Sequence, residues 1–184
     1  MPRALIILTE GVEEMEAIAP VDLLRRAGVQ VILATIDAGP AICGRNNIAL
    51  LAETELEQVE DMDFDLIVIP GGPGHTRLKA HAELLALLRR QVADGRTVAA
   101  ICAGPLVLQA AGVLQGRRHT CHHSVAATLP ERDPAAAVVE DGPVITSQGA
   151  GTATRFALAL VRRLCGADKA AEIAREIAFD LHTV

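Results

Sequence analysis

Short aliphatic runs alternate along this chain with longer stretches in which apolar residues recur every three or four positions. Ala4 to Leu8 is uncharged and rich in β-formers, the pattern of a strand buried on both faces. From Glu13 to Arg26 the residues Met15, Ile18, Ala19, Leu23 and Leu24 fall at helical spacing, and Gly28 supplies a stop signal just beyond. Val29 to Ile36 reads as a second strand. Residues 38–53 carry Gly39-Pro40, Gly44 and Asn46-Asn47 between short apolar pieces, which predicts a hairpin or an irregular excursion. Phe64 to Ile69 is a third core strand running directly into Pro70-Gly-Gly-Pro-Gly74. Ala82 to Ala93 is amphipathic, with Leu84, Leu85, Leu87, Leu88 and Val92 inward, Arg89 and Arg90 outward, and Gly95 closing it. Thr97 to Ile101 is a fourth buried strand, followed by a turn at Cys102 and a helix ending near Gly112. Two short strands around Ala137–Val139 and Val144–Thr146 flank Asp141-Gly142, a hairpin signal. Helices over Thr152–Leu164 and Asp168–Ala178 finish the pattern. Strands alternating with helices predict a mostly parallel sheet covered on both sides, a three-layer α/β/α sandwich.

Composition narrows this picture. At 184 residues the chain is expected to form one domain over 1–184, and 51% apolar with 2% aromatic residues, no Trp and no Tyr, requires a core of aliphatic side chains. Net charge is −6, with basic residues in scattered pairs such as Arg25-Arg26 and Arg89-Arg90. A nucleic-acid groove is therefore not expected, since neither a basic footprint nor stacking aromatics are present. The uncharged stretch from Thr97 to Gly116 is about long enough to span a bilayer, but Cys102-Ala-Gly-Pro105 interrupts it, so a strand turning into a helix is expected and no membrane association. Glu10 cuts the first apolar run short of a signal peptide, which points to a cytoplasmic protein. Cys43, Cys102, Cys121 and Cys165 form no C-x-x-C pair, so each reads as a reduced thiol, a small buried hydrophobe or a reactive group.

In an open parallel sheet, ligands gather beyond the carboxyl ends of the strands. That rule selects Thr9–Glu16, Gly71–His75 and Cys102–Pro105: a run of carboxylates, a glycine-rich turn and a cysteine. Cys102 lies where a buried strand turns into a helix between Ala100, Ala103 and Gly104, the small neighbours a nucleophile elbow needs, although Ala100 replaces the first glycine of that pattern. The helix terminus behind it is expected to favour thiolate; the alternative is a structural buried thiol. Gly71-Gly72-Pro73-Gly74 lacks the Lys and Ser/Thr of a phosphate loop and reads either as a plain turn or as a source of N–H groups for an oxyanion. Glu10, Glu13, Glu14 and Glu16 suit the start of a helix, and a carboxyl aimed at Cys102 would hold its proton. His119-Thr-Cys-His-His123 has no supporting ligand spacing elsewhere, so no metal is assigned; its histidines equally suit a general base.

Four segments in order, Glu10-Gly-Val-Glu-Glu-Met-Glu16, Pro70-Gly-Gly72, Ala99-Ala-Ile-Cys-Ala-Gly-Pro105 and Thr146-Ser-Gln-Gly-Ala-Gly-Thr152, resemble the ThiJ/PfpI superfamily in its DJ-one/YajL branch, over essentially the full chain. The resemblance implies a flavodoxin-like fold of the class I glutamine amidotransferase type, a homodimer, no cofactor and an oxidation-sensitive cysteine. It makes Cys102 the reactive cysteine, Glu16 its hydrogen-bonded protonated glutamate, Gly72 and Ala103 the surrounding N–H donors, and His122 the site histidine, with His123 one residue away. It places Arg26 and Arg45 toward the dimer interface near the site, with Glu13 as their partner. Ala103 stands where the protease-like branch has His, Pro73 removes an N–H, the loop from Gly72 to Leu78 is short, and Gln148 replaces an Arg of some relatives.

Two functions of different class follow from the resemblance. One is cofactor-independent chemistry on methylglyoxal or glyoxal, or their early adducts, of the glyoxalase III or deglycase type. The other is an oxidative-stress sensor or redox-regulated chaperone working through a Cys102 sulfinate. Older family names suggest thiamine-pathway or protease activity, for which these residues supply no peptide-cleaving triad.

Overall fold

The computed structural model describes residues 1–180; the last four residues of the domain expected over 1–184 lie outside them. The seven-stranded sheet is built from β1 (Arg3–Leu8), β2 (Gln30–Thr35), β5 (Thr54–Glu55), β6 (Leu66–Ile69), β7 (Thr97–Ile101), β8 (Val138–Asp141) and β9 (Val144–Ser147). Its order is β5-β2-β1-β6-β7-β9-β8, parallel throughout except for β8, which returns antiparallel to β9 across the Asp141-Gly142 turn. The remaining strands, β3 (Ala41–Cys43) and β4 (Ala49–Leu51), form the separate hairpin expected within residues 38–53.

Alternation along the strands divides the core into two halves. Ala4, Ile6 and Leu8 of β1 face one side with Val68, Ala99, Ile101 and Phe156, while Leu5 and Ile7 face the other with Ile67, Ile69, Val98 and Ala100. The first half is covered by α1 (Glu14–Arg26), α5 (Ala153–Cys165) and α6 (Ala167–Glu176). The second is covered by α3 (Ala82–Ala93) and α4 (Pro105–Ala110). Because both faces are buried, the central strands read as continuous apolar runs, and the architecture is the expected three-layer sandwich.

Helix α1 departs from the simple apolar-in pattern. Met15 and Ile18 are 60% and 41% exposed, whereas Glu13, Glu14 and Glu16 are buried beside Ala17, Pro20 and Val21. The first turn of the helix is turned inward by polar partners rather than by apolar ones. In α3, Leu84, Leu87 and Leu88 are buried as expected, but Leu85 and Val92 are only half-buried. Gln91 takes a core position, where its amide donates to Phe64 O at 2.8 Å and Thr97 O at 3.2 Å and ties the starts of two strands together. A short helix α2 (His75–Leu78), not expected from the sequence, follows the glycine-rich turn. Among the described residues no helix is long and apolar enough to cross a membrane.

Candidate active site

Strand register brings the three selected loops together. Ile6 pairs with Val68, Ile69 with Ala100, and Ile101 with Ser147, so the segments after β1, β6, β7 and β9 emerge side by side at one edge of the sheet. Cys102 has φ +64°, a left-handed conformation that costs a side-chain-bearing residue on the order of 1–3 kcal/mol. Both its backbone groups are held: its N–H donates to Ser147 O and its carbonyl accepts from His122 N–H, each at 3.0 Å. The tight turn also needs Gly104, since a methyl there would run into the Ile69 carbonyl.

The thiol is 8% exposed and the Glu16 side chain beside it 1%. Glu16 Oε2 accepts from Gly71 N–H at 2.8 Å, and a methyl on Gly71 would lie 2.6 Å from both Cys102 Cβ and Glu16 Oε2, so the loop backbone sits directly against the pair. The N–H groups of Ala103 and Gly72 point at the Cys102 sulfur. Burial pushes the thiol up, and the Glu16 carboxyl, through charge and a hydrogen bond, pushes it further, to about 12, against those two donors. Burial also raises Glu16, to about 7, over the opposing hydrogen bonds from Cys102 and Gly71; the Glu13 charge adds to the rise. Two anions at this spacing repel, so the groups titrate as a pair. The N–H groups at the turn favour thiolate, but burial and the Glu16 carboxyl outweigh them.

His122 is half-buried and His123 exposed, the rings 4.0 Å apart at 38°. His122 Nδ1 lies 2.8 Å from Ser124 Oγ and 3.3 Å from Ser124 N–H. A methyl on Gly149 would meet His122 Cδ2 at 3.2 Å and Glu16 Oε1 at 3.8 Å, so His122 turns the Cδ2 side of its ring toward the site. Burial, then His123, Arg45 and Arg132, keep this imidazole below its usual range and hence neutral at pH 7.

The other proposed residues divide. Arg45 lies in the β3–β4 turn, which is stitched over the first loop by Arg45 N–H to Val12 O (2.9 Å) and Asn46 N–H to Glu14 Oε1 (2.7 Å), and its charge is felt at both Glu16 and His122. Glu13 caps α1, its Oε2 accepting from Glu16 N–H at 2.9 Å. Arg26 is ten residues beyond Glu16 along α1, about 15 Å at 1.5 Å per residue. It is engaged there by Asp22 at 3.0 Å and Glu176 at 2.6 Å, so within its own chain it does not reach Cys102. Gln148 does not enter the site either; its amide donates to Pro134 O and Ala136 O.

The His119–His123 run does not converge. His119 Nδ1 donates to Arg117 O, and Cys121 is packed in the apolar half-core on the opposite face of the sheet from Cys102. Among the described residues no group of three or more His, Cys, Asp or Glu is arranged to hold a metal ion, and all four cysteines are free thiols. Sequence reasoning missed Gly71 and Gly149, whose lack of a side chain lets Glu16, Cys102 and His122 meet. The glycine-rich motifs were visible, but which glycine touches which side chain depends on strand register.

The DJ-1/PfpI family matches residues 2–163. Glutathione-independent glyoxalase DJR-1.2 of Caenorhabditis elegans is 40% identical over 170 residues, covering 90% of each chain. Among solved structures, Drosophila melanogaster DJ-1beta superposes with a TM-score of 0.94 at 38% identity, covering 97% of this chain and 98% of that one. Oxidized Toxoplasma gondii DJ-1 gives 0.93 at 31% identity, covering 97% and 99%.

Proposed function

Since this chain belongs to the DJ-1/PfpI family, we propose that it is a cysteine-dependent, cofactor-independent enzyme acting on methylglyoxal, glyoxal or their early adducts. The observation that supports this reading is a buried carboxyl titrating near 7 set against a cysteine thiol on which two N–H groups converge. A glutathione-independent glyoxalase at 40% identity over 90% of its length supports it from outside the site. The steps need no outside oxidant. The Cys102 sulfur adds to the aldehyde carbon while carboxylate Glu16 takes the thiol proton and passes it to the carbonyl oxygen, giving a hemithioacetal and returning the carboxylate. Glu16 then moves the proton from the former aldehyde carbon to the neighbouring ketone carbon while the hydroxyl proton passes to the ketone oxygen, oxidising the first carbon and reducing the second, so that a thioester of the 2-hydroxy acid results. Water cleaves the thioester, releasing lactate and returning the thiol. A base titrating near 7 suits proton transfer in both directions at neutral pH. The N–H groups of Gly72 and Ala103 would steady charge on the sulfur or on the oxygen attached to it, and neutral His122, its ring turned toward the site, would hydrogen-bond to the substrate.

Four free thiols fit a reducing, cytoplasmic setting. The protein would work as a homodimer: Met15 and Ile18 on α1, with Ile48 and Leu50, line an apolar groove of about 570 Å³ that a second copy would cover.

The test is lactate formation from methylglyoxal by purified protein. Cys102→Ser is expected to abolish turnover and Glu16→Gln to lower kcat by roughly 10²–10⁴-fold, the usual worth of a positioned acid–base group; full turnover by Cys102→Ser sinks the reading.

A second reading is favoured by the two N–H groups aimed at the sulfur, which would equally hold an oxygen of a Cys102 sulfinate. Two equivalents of hydrogen peroxide would carry thiolate to sulfenate and sulfenate to sulfinate, each releasing water, and the protein would serve as an oxidative-stress sensor or redox-regulated chaperone. Intact mass after mild peroxide treatment checks it: an unmodified Cys102 removes this alternative.

A further inference from the structure

Asp37 follows β2, outside the constellation described so far, and its side chain is 8% exposed. One oxygen, Oδ2, accepts from the Thr9 hydroxyl at 2.9 Å and from Glu10 N–H at 2.7 Å, the first two residues of the loop that leads to Glu16. Among the described residues the other, Oδ1, accepts no hydrogen bond and is met only by the charge of the Arg77 guanidinium, in an ion pair, from α2, the helix that directly follows Gly71-Gly72-Pro73-Gly74. Asp37 is itself fixed, its N–H donating to Thr35 Oγ1 at 2.9 Å. A single buried carboxylate therefore grips both loops from which the site is made.

Those loops are pressed together with no room to spare. Glu13 N–H donates to Gly71 O at 3.1 Å, and Gly74 N–H to Gly11 O at 3.4 Å. A methyl on Gly74 would sit 2.5 Å from Glu10 O and 2.6 Å from Thr9 Cγ2, and one on Gly72 would strike Gly11 O. Glu16 belongs to the first loop and its helix; the Gly71 and Gly72 N–H groups that hold Glu16 and the Cys102 sulfur belong to the second. Their spacing is the spacing between the loops, and the hydrogen bonds that join the loops directly are few and partly long.

We infer that Asp37, through Arg77 on one side and Thr9 and Glu10 on the other, is a positioning residue that latches the 71–78 loop to the 9–13 loop and so holds the Gly72 N–H on the Cys102 sulfur and the Gly71 N–H on Glu16. Neither Asp37 nor Arg77 touches the reacting atoms. Arg77 is half exposed, so the latch is closed from the solvent side by a residue whose replacement disturbs no core packing.

The latch concerns the geometry of the site and not the reaction assigned to it, so its test reads Cys102 directly. The rate of Cys102 alkylation by iodoacetamide is measured at one fixed pH well below the thiol's midpoint, where it scales with the thiolate fraction, with peptide mass spectrometry separating Cys102 from exposed Cys43. Loosening N–H donors that favour negative charge lowers that fraction. Asp37→Asn and Arg77→Gln are each expected to slow alkylation by about threefold or more, while Arg77→Lys, which keeps the ion pair, stays near the wild type. A residue serving only stability would lower the melting temperature and leave the rate in place. If Asp37→Asn does not fold, Arg77→Gln decides. A folded Arg77→Gln protein with the wild-type rate, whatever its melting temperature, overturns the latch. A change in alkylation rate and a loss of methylglyoxal turnover are separate outcomes, so failure of the enzymatic reading leaves the latch standing, and the reverse.

Discussion

Glu16 is asked to hold a proton where an exposed glutamate would have lost it. Its carboxyl is buried, receives one backbone N–H and faces a thiol, and burial carries it from 4.5 up to about 7. Between those two values the folded protein keeps a proton that the unfolded chain releases. The stabilisation from that proton is therefore complete below about 4.5 and is lost as pH rises through about 7. Two and a half units correspond to on the order of 3 kcal/mol at most, because Cys102 shares the titration. Urea midpoints taken from pH 5 to pH 8 should fall for the wild type and change much less for Glu16→Gln, which carries no proton to lose. Parallel curves for the two proteins would show that Glu16 is not held up by its surroundings. Cys102 poses the complementary problem: its left-handed backbone is strained, and the Ser147 and His122 backbone bonds that clamp it are what keep the thiol facing Glu16.

At the scale of elements, the site is a product of turns set by strand register. Gly71 illustrates this, since a methyl there meets Cys102 Cβ and Glu16 Oε2 at 2.6 Å, and neither is free to retreat. Gly71→Ala is expected to cost about 1–3 kcal/mol by overpacking and to separate the pair. Its signature would be a Cys102 alkylation rate, at one fixed pH well below the thiol's midpoint, that no longer responds to Glu16→Gln in the double variant; a response of wild-type size would contradict it. The central strands and α3 were legible from periodicity because burial on two faces, or on one stripe, writes itself into the local pattern. Helix α1 was legible in extent but not in facing. Its buried carboxylates are satisfied by Asn46, thirty-two residues on, and by Gly71, fifty-five residues on, and a local pattern contains neither. Motif resemblance singled out Cys102, Glu16, Gly72 and His122, which strand register sets side by side. A motif carries residue types without distances, and it was silent on Asp37, a lone acidic residue at a strand end with no pattern around it.

For the molecule as a whole, the outward face of α1 is the feature that an isolated chain leaves unexplained. Met15 and Ile18 lie on the side of the helix opposite Glu16, and with Ile48 and Leu51 they are among the few large apolar side chains exposed to solvent. They lie beside the β3–β4 hairpin that also carries Arg45, so a copy docked there would rest against the wall of the active site. A two-fold interface uses the same patch on both partners, and an α1 helix paired with its own copy would put Ile18 close to the symmetry axis. Each chain carries a net charge of −6, so salt should strengthen association by screening repulsion, as expected for an apolar contact between like-charged partners. Ile18→Glu would place a carboxylate on that contact in both copies, unpaired, and is expected to weaken the dimer by about 100-fold or more. Sedimentation equilibrium should show twice the 19.4 kDa chain mass for the wild type and the chain mass for the variant at the same micromolar concentrations. The wild-type melting temperature should also rise with protein concentration and that of the variant should not, because association stabilises by mass action. A wild type that sediments as a monomer at every concentration would leave the exposed face to some other partner and would separate the chemistry of Cys102 from any second copy.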